Sequence, residues 1–340
     1  MPLATGVLRA RRNRQVLASF PTFAADRAAS QQHELALMTE SLSPPSATAS
    51  CGNTNPTHTP THFTCYEIRS MRELQRAAVA FAVAFASTLS RADAQSWATE
   101  RLEASPRHME YATVAHGDRN VECFVAYPEV PDKAHAVILI HDISGMGDWI
   151  RSMADQVAEA GYVAIVPDLL SGAGPEGGGT ESFSSIDDAR RAIPKLAPEQ
   201  ITADLNAAAK YVTQLPASKG SVSVAGFCWG GGQALRYATR NPDLSAAMVF
   251  YGYEPITAED VERIACPVYG FYAENDARIN ASMQDVTRLL RDKGKRFDAV
   301  VYEGAGHGFM RHGQDPMGLP ENKDARDEAW TRWKELLRAL

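Results

Sequence analysis

The sequence predicts an α/β domain in which helices flank a mostly parallel sheet. From residue 110 onward, short apolar runs alternate with helix-like segments, as they do when crossover helices join parallel strands. One apolar run, Ser221–Ala225, leads directly into the glycine-flanked pentapeptide Gly226–Gly230 and then into a helix-like segment. An acid and a histidine follow later apolar runs in a fixed order. The first observation predicts the fold class, and the other two narrow the choice of fold within that class.

The first 94 of the 340 residues do not have the pattern of a globular domain. Residues 1–70 combine an arginine cluster with Ser/Thr/Pro-rich sequence and little apolar periodicity. Such a segment buries too little surface to offset the entropy of ordering, so we expect it to be disordered or a wrongly assigned upstream extension. A basic arm for nucleic acid is the alternative, although the run is short and lacks interleaved aromatic residues.

Residues 71–94 contain the features of a secretory signal peptide in the right order. The charged segment Met71–Arg76 precedes an apolar run over 77–86, and Ala92-Asp93-Ala94 supplies an A-x-A cleavage site. The apolar run is well short of the roughly 20 residues that span a bilayer. We therefore expect translation from Met71 and export of a mature chain, 95–340, to the periplasm or outside the cell. An alanine-rich helix is the alternative.

Charge and cysteine content limit the partners of the mature chain. Residues 95–340 carry 25 Lys and Arg against 35 Asp and Glu, a net charge of −10, which disfavours nucleic acid and anionic membranes. We expect a monomer, without stable membrane insertion, that acts on a small molecule. Cys123 and Cys266 lie in or beside apolar runs and are expected to be buried structural thiols. With no C-x-x-C motif, we predict no metal and no cofactor.

The apolar runs predict eight strands, the first two forming a hairpin at one edge around Gly117-Asp118. The strands are Tyr111–Ala115, Val121–Tyr127, Val137–His141, Val163–Pro167, Val222–Phe227, Ala246–Tyr251, Val268–Tyr272 and Phe297–Tyr302. The third of these is fully apolar, as a strand covered on both faces should be.

Helix-like segments separate these strands from the third strand onward. They are Asp148–Ala160, Ser185–Ile193, Pro198–Leu215, Gly231–Arg240, Asn280–Lys293 and Lys323–Leu340. Pro198 stands at a first helical position, where its missing N–H costs no hydrogen bond. The Gly-rich stretch Ser171–Thr180 replaces a tight connection, so we expect a mobile surface loop or part of a lid.

The pentapeptide Gly226–Gly230 has the context of a nucleophile elbow, a sharp strand-to-helix turn that projects a reactive side chain. Its central residue, Cys228, would present a thiol where most elbows carry a hydroxyl. The flanking glycines fit this interpretation, since the turn needs strained backbone and close packing. A single cysteine after a strand is, however, more often a structural thiol.

An elbow nucleophile needs a base, and the base needs an orienting acid, each after a later strand. Asp276 follows the strand that begins at Val268, and the glycine-flanked His307 follows the last strand. His307 would take the proton of Cys228, and Asp276 would fix the histidine tautomer. Taken singly, His307 could be a loop residue and Asp276 a helix N-cap. Taken together, they favour an α/β-hydrolase fold over a Rossmann or flavodoxin-like one.

At this point the chain resembles the dienelactone hydrolase family over essentially all of residues 110–340. The matching segments are Gly226–Gly231, Asp276 and Gly306–Arg311, with Leu139–Gly145 similar to the family's segment after the third strand. The cysteine-centred elbow is the most specific of these elements. The resemblance implies hydrolysis of a small ester or lactone through a thioester acyl-enzyme.

The resemblance also implies roles for residues around the triad. Backbone N–H groups of Trp229 and Ile143 would form the oxyanion hole. An acid at the position of Asp142 interacts with the resting thiol in the family and helps to form the thiolate. Arg311 matches one of the arginines that bind a substrate carboxylate.

Two positions depart from the family pattern or leave it open. The family has glutamate where this chain has Asp142, which could instead cap a loop or pair with His141. For the second substrate-binding arginine the candidates are Arg191 and its neighbour Arg190, either of which could be a solvated helix charge. Four aromatic residues could line an apolar pocket or pack in the core, and these are Trp149, Phe227, Tyr251 and Phe309.

Two other functions remain open for the same fold. One is a non-catalytic binding protein, which the complete triad argues against. The other is redox sensing by an activated thiol, although no resolving cysteine lies near Cys228 in the sequence.

Overall fold

The sheet has eight strands, all within residues 95–340, the part of the chain that the computed structural model describes. The strands are β1 (Met109–His116), β2 (Arg119–Ala126), β3 (Ala134–Ile140), β4 (Val163–Pro167), β5 (Ser218–Phe227), β6 (Ala247–Phe250), β7 (Val268–Ala273) and β8 (Phe297–Tyr302). They lie in the order β1-β2-β4-β3-β5-β6-β7-β8. Strand β2 runs antiparallel to both of its neighbours, and the remaining pairs are parallel.

Helices connect the strands from β3 onward, and one helix precedes β1. They are α1 (Ser96–Ala104), α2 (Asp148–Glu159), α3 (Ile186–Ala192), α4 (Pro198–Gln214), α5 (Trp229–Ala238), α6 (Ala258–Glu262), α7 (Ala277–Asp292), α8 (Phe309–His312) and α9 (Pro320–Arg338). Short 3-10 turns cover Pro175–Gly177, Thr180–Ser182 and Ile193–Lys195. The predicted edge hairpin, the mostly parallel sheet and the α/β-hydrolase fold are confirmed.

Helices cover both faces of the sheet, and its central strands are therefore buried on both sides. All seven residues of β3 are buried. Successive side chains of a strand point to opposite faces, so Val137 and Leu139 pack in one layer while Ile138 and Ile140 pack in the other. The first layer includes residues of α2 and α9, and the second includes residues of α4, α5 and α7. A parallel sheet needs this two-sided cover.

The helix that precedes β1 is held by one buried carboxylate. Asp155, on α2, accepts hydrogen bonds from Arg107 Nε at 2.6 Å and from Ser105 Oγ at 2.5 Å, and Arg101 Nε lies 2.8 Å away. Burial by itself would raise the pKa of Asp155, but the hydrogen bonds from Arg107 and Ser105 outweigh it and hold the pKa below its usual value. The carboxylate therefore ties the segment after α1 to the sheet-covering helix.

The predicted elements agree with the structure except at their ends and in three short helices. Strands β4 and β8 have the predicted bounds, whereas β5 begins four residues before the predicted Val222. The helix after the elbow begins at Trp229, two residues before the predicted Gly231. Helices α1, α6 and α8 were not predicted. Helices α6 and α8 have five and four residues, too short for an apolar periodicity, and the nine residues of α1 bury only Ala98, so no apolar stripe marks that helix.

The Gly-rich stretch, which was predicted to be a mobile surface loop or part of a lid, makes close contacts through its backbone. Gly174 N donates to Gly178 O at 2.9 Å, and a Cβ at Gly174 would lie 2.8 Å from Gly179 O. A Cβ at Gly179 would lie 2.3 Å from an oxygen of Asp168, the residue that follows β4. The glycines let this segment fold closely on itself and on the end of β4.

The predicted extension, 1–70, and the predicted signal peptide, 71–94, lie outside the described residues and stay predictions. Within 95–340, no helix is both long and apolar enough to cross a membrane. Cys123 and Cys266 are buried and have free thiols, as expected of structural cysteines.

Replacing Asp155 by Asn should lower the free energy of unfolding by roughly 2–3 kcal/mol at pH 7, because the buried hydrogen bonds lose their charged acceptor and one oxygen becomes an NH2 donor. The folded-state pKa of Asp155 is depressed, so the wild-type advantage should be present above the unfolded-state value of about 3.9 and should be lost as the pH falls from there through the folded-state pKa. Urea denaturation between pH 7 and pH 3 measures both effects.

Glu159→Gln is the matched control for this measurement. Its exposed carboxylate also pairs with Arg101, at 2.8 Å, but exposed pairs contribute less than about 1 kcal/mol. Equal losses of stability in the two variants would contradict the anchoring role of Asp155.

Candidate active site

Cys228 sits on a strained turn between β5 and α5. Its backbone has φ +56° and ψ −118°, a conformation that residues other than glycine rarely adopt. The Cys228 N–H donates to Phe250 O at 3.0 Å, and Cys228 O accepts from Gly231 N at 3.0 Å. Strain of this kind costs about 1–3 kcal/mol and persists only where neighbouring structure enforces it. The predicted elbow is therefore present in the geometry.

The elbow exists because glycines let backbone approach backbone. A Cβ at Gly226 would lie 1.9 Å from Gly230 O. A Cβ at Gly230 would lie 2.3 Å from His141 O and 2.4 Å from Ile140 O. These atoms are carbonyl oxygens that have no rotamer freedom with which to move away. The glycines fix how closely α5 approaches the end of β3.

The structure brings Cys228, His307 and Asp276 into one hydrogen-bonded row. His307 Nε2 lies 3.0 Å from Cys228 Sγ, and His307 Nδ1 lies 2.5 Å from Asp276 Oδ2. The three residues come from separate strand ends, after β5, β7 and β8. Asp276 Oδ1 also accepts from Ile279 N at 3.4 Å, so Asp276 caps α7 as well. The two contacts expected of Asp276, one with His307 and one with the start of a helix, are both present.

The partners of His307 hold a proton on its ring. The hydrogen bond to Cys228, supported by Asp276 and opposed by burial, raises the pKa of His307 to about 9. At neutral pH the ring therefore carries a positive charge next to the sulfur. A protonated ring has an N–H on both nitrogens, so His307 donates to Cys228 Sγ through Nε2 and to Asp276 Oδ2 through Nδ1.

An aromatic cluster supports the row from below. The ring of Tyr251 lies 5.2 Å from those of both His307 and Phe309, and Phe227 packs 5.1 Å from Trp149. All four predicted pocket aromatics (Trp149, Phe227, Tyr251 and Phe309) are at most 4% exposed, so they pack in the core. Tyr251 also has φ +38°, a strained conformation that sequence reasoning missed.

The two predicted oxyanion-hole N–H groups are both free to donate a hydrogen bond to a ligand oxygen. Trp229 is the first residue of α5, where an N–H has no acceptor within the helix. In the loop after β3, the N–H groups of 144–147 all donate to protein acceptors. Ile143 N–H and Trp229 N–H have no such acceptor within residues 95–340.

Asp142 pairs with Arg311 rather than with the thiol. Arg311 Nη1 donates to Asp142 Oδ2 at 2.9 Å, and Ser144 N donates to Asp142 Oδ1 at 2.7 Å. The guanidinium carbon of Arg311 lies 5.9 Å from the ring centre of Trp149. Among the described residues, the hydrogen bonds of Asp142 do not include one to Cys228. The structure thus joins two of the predicted site residues in a contact that the sequence did not suggest.

His141 fastens the same loop without pairing with the Asp142 carboxylate. Its Nδ1–H donates to Asp142 O at 2.8 Å, and its Nε2 accepts from Leu169 N at 3.2 Å. The ring is fully buried and stacks on Trp229. Sequence reasoning gave His141 only as a possible partner of the acid next to it.

Arg191 shares no hydrogen bond or ion pair with the triad, Asp142 or Arg311. It lies on α3, where its guanidinium pairs with Asp188. It lines a cavity of about 710 Å³ whose walls contain none of the triad residues. Arg190 pairs with Asp187 on the same helix, at 3.1 Å. Each of the two candidate arginines thus pairs with an aspartate of its own helix.

Residues 95–340 contain no cluster of three or more His, Cys, Asp or Glu side chains placed to share a metal ion.

Comparison with known proteins identifies the relatives of this chain. The sequence profile of the "Dienelactone hydrolase family" matches residues 121–340. A protein of Saccharolobus solfataricus named "Putative carboxymethylenebutenolidase" is 30% identical over 251 residues, covering 65% of this chain and 94% of that protein. A Bradyrhizobium protein named "Probable 2-oxo-3-(5-oxofuran-2-ylidene)propanoate lactonase" is 27% identical over 219 residues, covering 61% of this chain and 86% of that protein.

Solved structures show the same fold. A Klebsiella pneumoniae crystal structure described as "Putative Dienelactone Hydrolase" matches with a TM-score of 0.61 at 23% identity, covering 69% of this chain and 99% of that one. At this level of identity the match concerns the fold alone.

Replacing Gly230 by Ala should lower the free energy of unfolding by about 3 kcal/mol, because the new Cβ would overlap two carbonyl oxygens in a packed interior. The sign is informative, since alanine is the better helix former by about 1 kcal/mol. Chemical denaturation measures the change. Gly147→Ala is the control, because a Cβ there meets nothing within 4 Å. A Gly230 variant as stable as the Gly147 variant would contradict the close approach.

Proposed function

Because the chain belongs to the dienelactone hydrolase family, we propose that it hydrolyses a small carboxylic ester or lactone with Cys228 as the nucleophile. The observation that carries the proposal is the row of Cys228, His307 and Asp276, with contacts of 3.0 Å and 2.5 Å. The printed names of the relatives, carboxymethylenebutenolidase and lactonase, support the ester and lactone class.

The first chemical step follows from the charge on His307. With its pKa raised to about 9, His307 holds the proton while the sulfur of Cys228 attacks the substrate carbonyl as a thiolate. A C–S bond forms and the carbonyl oxygen becomes an oxyanion. The free N–H groups of Trp229 and Ile143 would donate to that oxygen, the first of them helped by the positive end of α5.

The second step regenerates the enzyme. The tetrahedral intermediate collapses, the C–O bond to the leaving alcohol breaks, and His307 gives its proton to that oxygen, leaving a thioester on Cys228. Water, deprotonated by His307, then attacks the thioester carbonyl. The C–S bond breaks, the acid is released, Cys228 leaves as a thiolate, and His307 keeps the proton that it took from the water. Asp276 keeps His307 in the required tautomer and balances its charge.

Arg311 is the residue we propose for a substrate carboxylate. It lies on α8, four residues after His307, and its guanidinium carries two-point donors suited to an anion. In this structure Asp142 occupies one of those donors. A carboxylated substrate would therefore have to compete with Asp142 for Arg311, and a neutral one would not.

The acyl-enzyme gives the sharpest test of the proposal. Rapid acid quenching during turnover, followed by intact mass measurement, should show an adduct on the wild-type protein. A lactone should add its whole mass, because its leaving oxygen stays attached, whereas a p-nitrophenyl ester should add only the acyl group. Cys228→Ala should form no adduct and should lower turnover at least about a thousandfold.

Cys266→Ala is the matched control for the adduct. Burial raises the pKa of Cys266 to about 11, so its thiol is inert at neutral pH and its removal should change neither adduct nor turnover. Undiminished turnover by Cys228→Ala would refute the nucleophile. A wild type with no adduct and no turnover of any ester would favour the non-catalytic binding protein instead.

Carboxylate selection by Arg311 can be tested with paired substrates. Arg311→Met should raise KM for a carboxylated ester about 10-fold to 100-fold, as expected for loss of a charge-assisted hydrogen bond, with little change for a neutral ester of the same acyl group. Steady-state kinetics on both esters measures the ratio.

Asp142→Asn separates the two roles considered for Asp142. If Asp142 acts only as the ion-pair partner of Arg311, Asp142→Asn should change only the hydrolysis of the carboxylated ester, and KM for that ester should fall. A thiol-modulating acid should instead change the rate at which iodoacetamide alkylates Cys228. Equal effects of Arg311→Met on both esters would contradict anion selection.

The redox-sensing alternative has no structural support in the described part of the chain. The other two cysteines there are buried, so neither is placed at the surface to resolve an oxidised Cys228. Export remains our proposal for location, based on residues 71–94.

A further inference from the structure

The Gly-rich segment after β4 is attached to the loop that carries Ile143, and the proposed chemistry does not use that attachment. The contact is made by Thr180, the last residue of the segment. Met146 N donates to Thr180 Oγ1 at 3.0 Å, which joins two stretches of chain 34 residues apart. Met146 lies three residues after Ile143 in the same loop.

The hydroxyl of Thr180 has a defined orientation because a buried carboxylate takes its proton. Thr180 Oγ1 donates to Asp168 Oδ1 at 2.7 Å, and Thr180 N donates to Asp168 Oδ2 at 2.7 Å. Asp168 is 3% exposed and also accepts from Leu170 N at 3.0 Å. With its proton directed at Asp168, the hydroxyl keeps a lone pair aimed at Met146 N–H.

The contact is close as well as hydrogen-bonded. A Cβ at Gly145 would lie 2.3 Å from Thr180 Oγ1, and Gly145 has φ +79°. The loop backbone therefore turns directly against the Thr180 side chain. At its other end, His141 fastens the loop to Leu169 N, two residues before the Gly-rich segment begins. Ile143 lies between these two attachment points.

We propose that Thr180, held by Asp168, is a positioning residue that sets the place of the Ile143 N–H in the oxyanion hole. The inference rests on the proposed function, since it takes Ile143 as a donor to the oxyanion. A backbone N–H cannot be redirected by a change of rotamer, so its position and direction depend on the contacts that hold the loop. A misplacement of about 1 Å at a reacting centre costs up to about 100-fold in rate.

Thr180→Val and Thr180→Ser form a matched pair for the test. Valine keeps the shape of threonine and removes both hydrogen bonds of the hydroxyl, whereas serine keeps both. In Thr180→Val, kcat for a p-nitrophenyl ester should fall about 10-fold to 100-fold with little change in KM. Thr180→Ser should stay within about threefold of wild type, since the hydroxyl remains.

Alkylation of Cys228 by iodoacetamide distinguishes positioning from general damage. That reaction replaces iodide at a saturated carbon and develops no oxyanion, so its rate and pH profile should be the same in all three proteins. A loss of alkylation in proportion to kcat would overturn the inference, because it would show a disturbed triad. Unchanged kcat in Thr180→Val would overturn it as well.

Binding of butanal gives a reading that needs no turnover. The Cys228 sulfur adds to the aldehyde carbon, and the oxygen that results occupies the position of the oxyanion. Butanal should bind Thr180→Val at least about tenfold more weakly than wild type and Thr180→Ser. A wild type without esterase activity would refute the proposed function, while these three affinities would still decide the inference. If Thr180→Val does not fold, Thr180→Ala removes the same hydroxyl without adding a methyl group beside Gly145.

Discussion

Three backbone segments meet at the end of β5 with no side chain between them. Gly226 faces the carbonyl of Gly230, Gly230 faces the carbonyls at the end of β3, and a Cβ at Gly252 would lie 2.5 Å from Cys228 O. Any side chain at these positions would overlap a carbonyl oxygen, so glycine alone permits the approach. The approach in turn holds Cys228 at φ +56° and begins α5 at the next residue. The direction of the thiol and the free N–H of Trp229 both follow from it.

Around this turn, the buried carboxylates all have partners, and each partner has a different consequence. Asp276 accepts a hydrogen bond from His307 and helps to raise the pKa of that ring to about 9. Asp142 pairs with the guanidinium of Arg311. Asp168 accepts only N–H and hydroxyl protons and serves to fix the loops. Each of the three carboxylates is thus held by a different set of donors, from His307, from Arg311 and from the loop after β4.

Much of the fold and the triad could be predicted because both depend on local signals. Apolar runs located all eight strands, and the order of Cys228, Asp276 and His307 placed each at a strand end. The Gly-rich stretch was predicted to be a mobile surface loop or part of a lid because it replaces a tight connection. In the structure the absence of side chains at its glycines permits close packing against Asp168. Composition does not distinguish these two uses of glycine, since the difference lies in the neighbours.

The sequence by itself determined which strands precede Cys228, Asp276 and His307. It also determined the turn that carries the thiol and the burial of Cys123 and Cys266. Those features follow from periodicity and from residues adjacent in the chain. Tertiary structure alone decided that Asp142 meets Arg311, 169 residues away, and that Arg191 lines a cavity whose walls contain none of the triad residues. It also decided that the hydroxyl of Thr180 reaches Met146. Contacts of this kind depend on angles and loop paths that accumulate over the whole chain, and no local pattern records them.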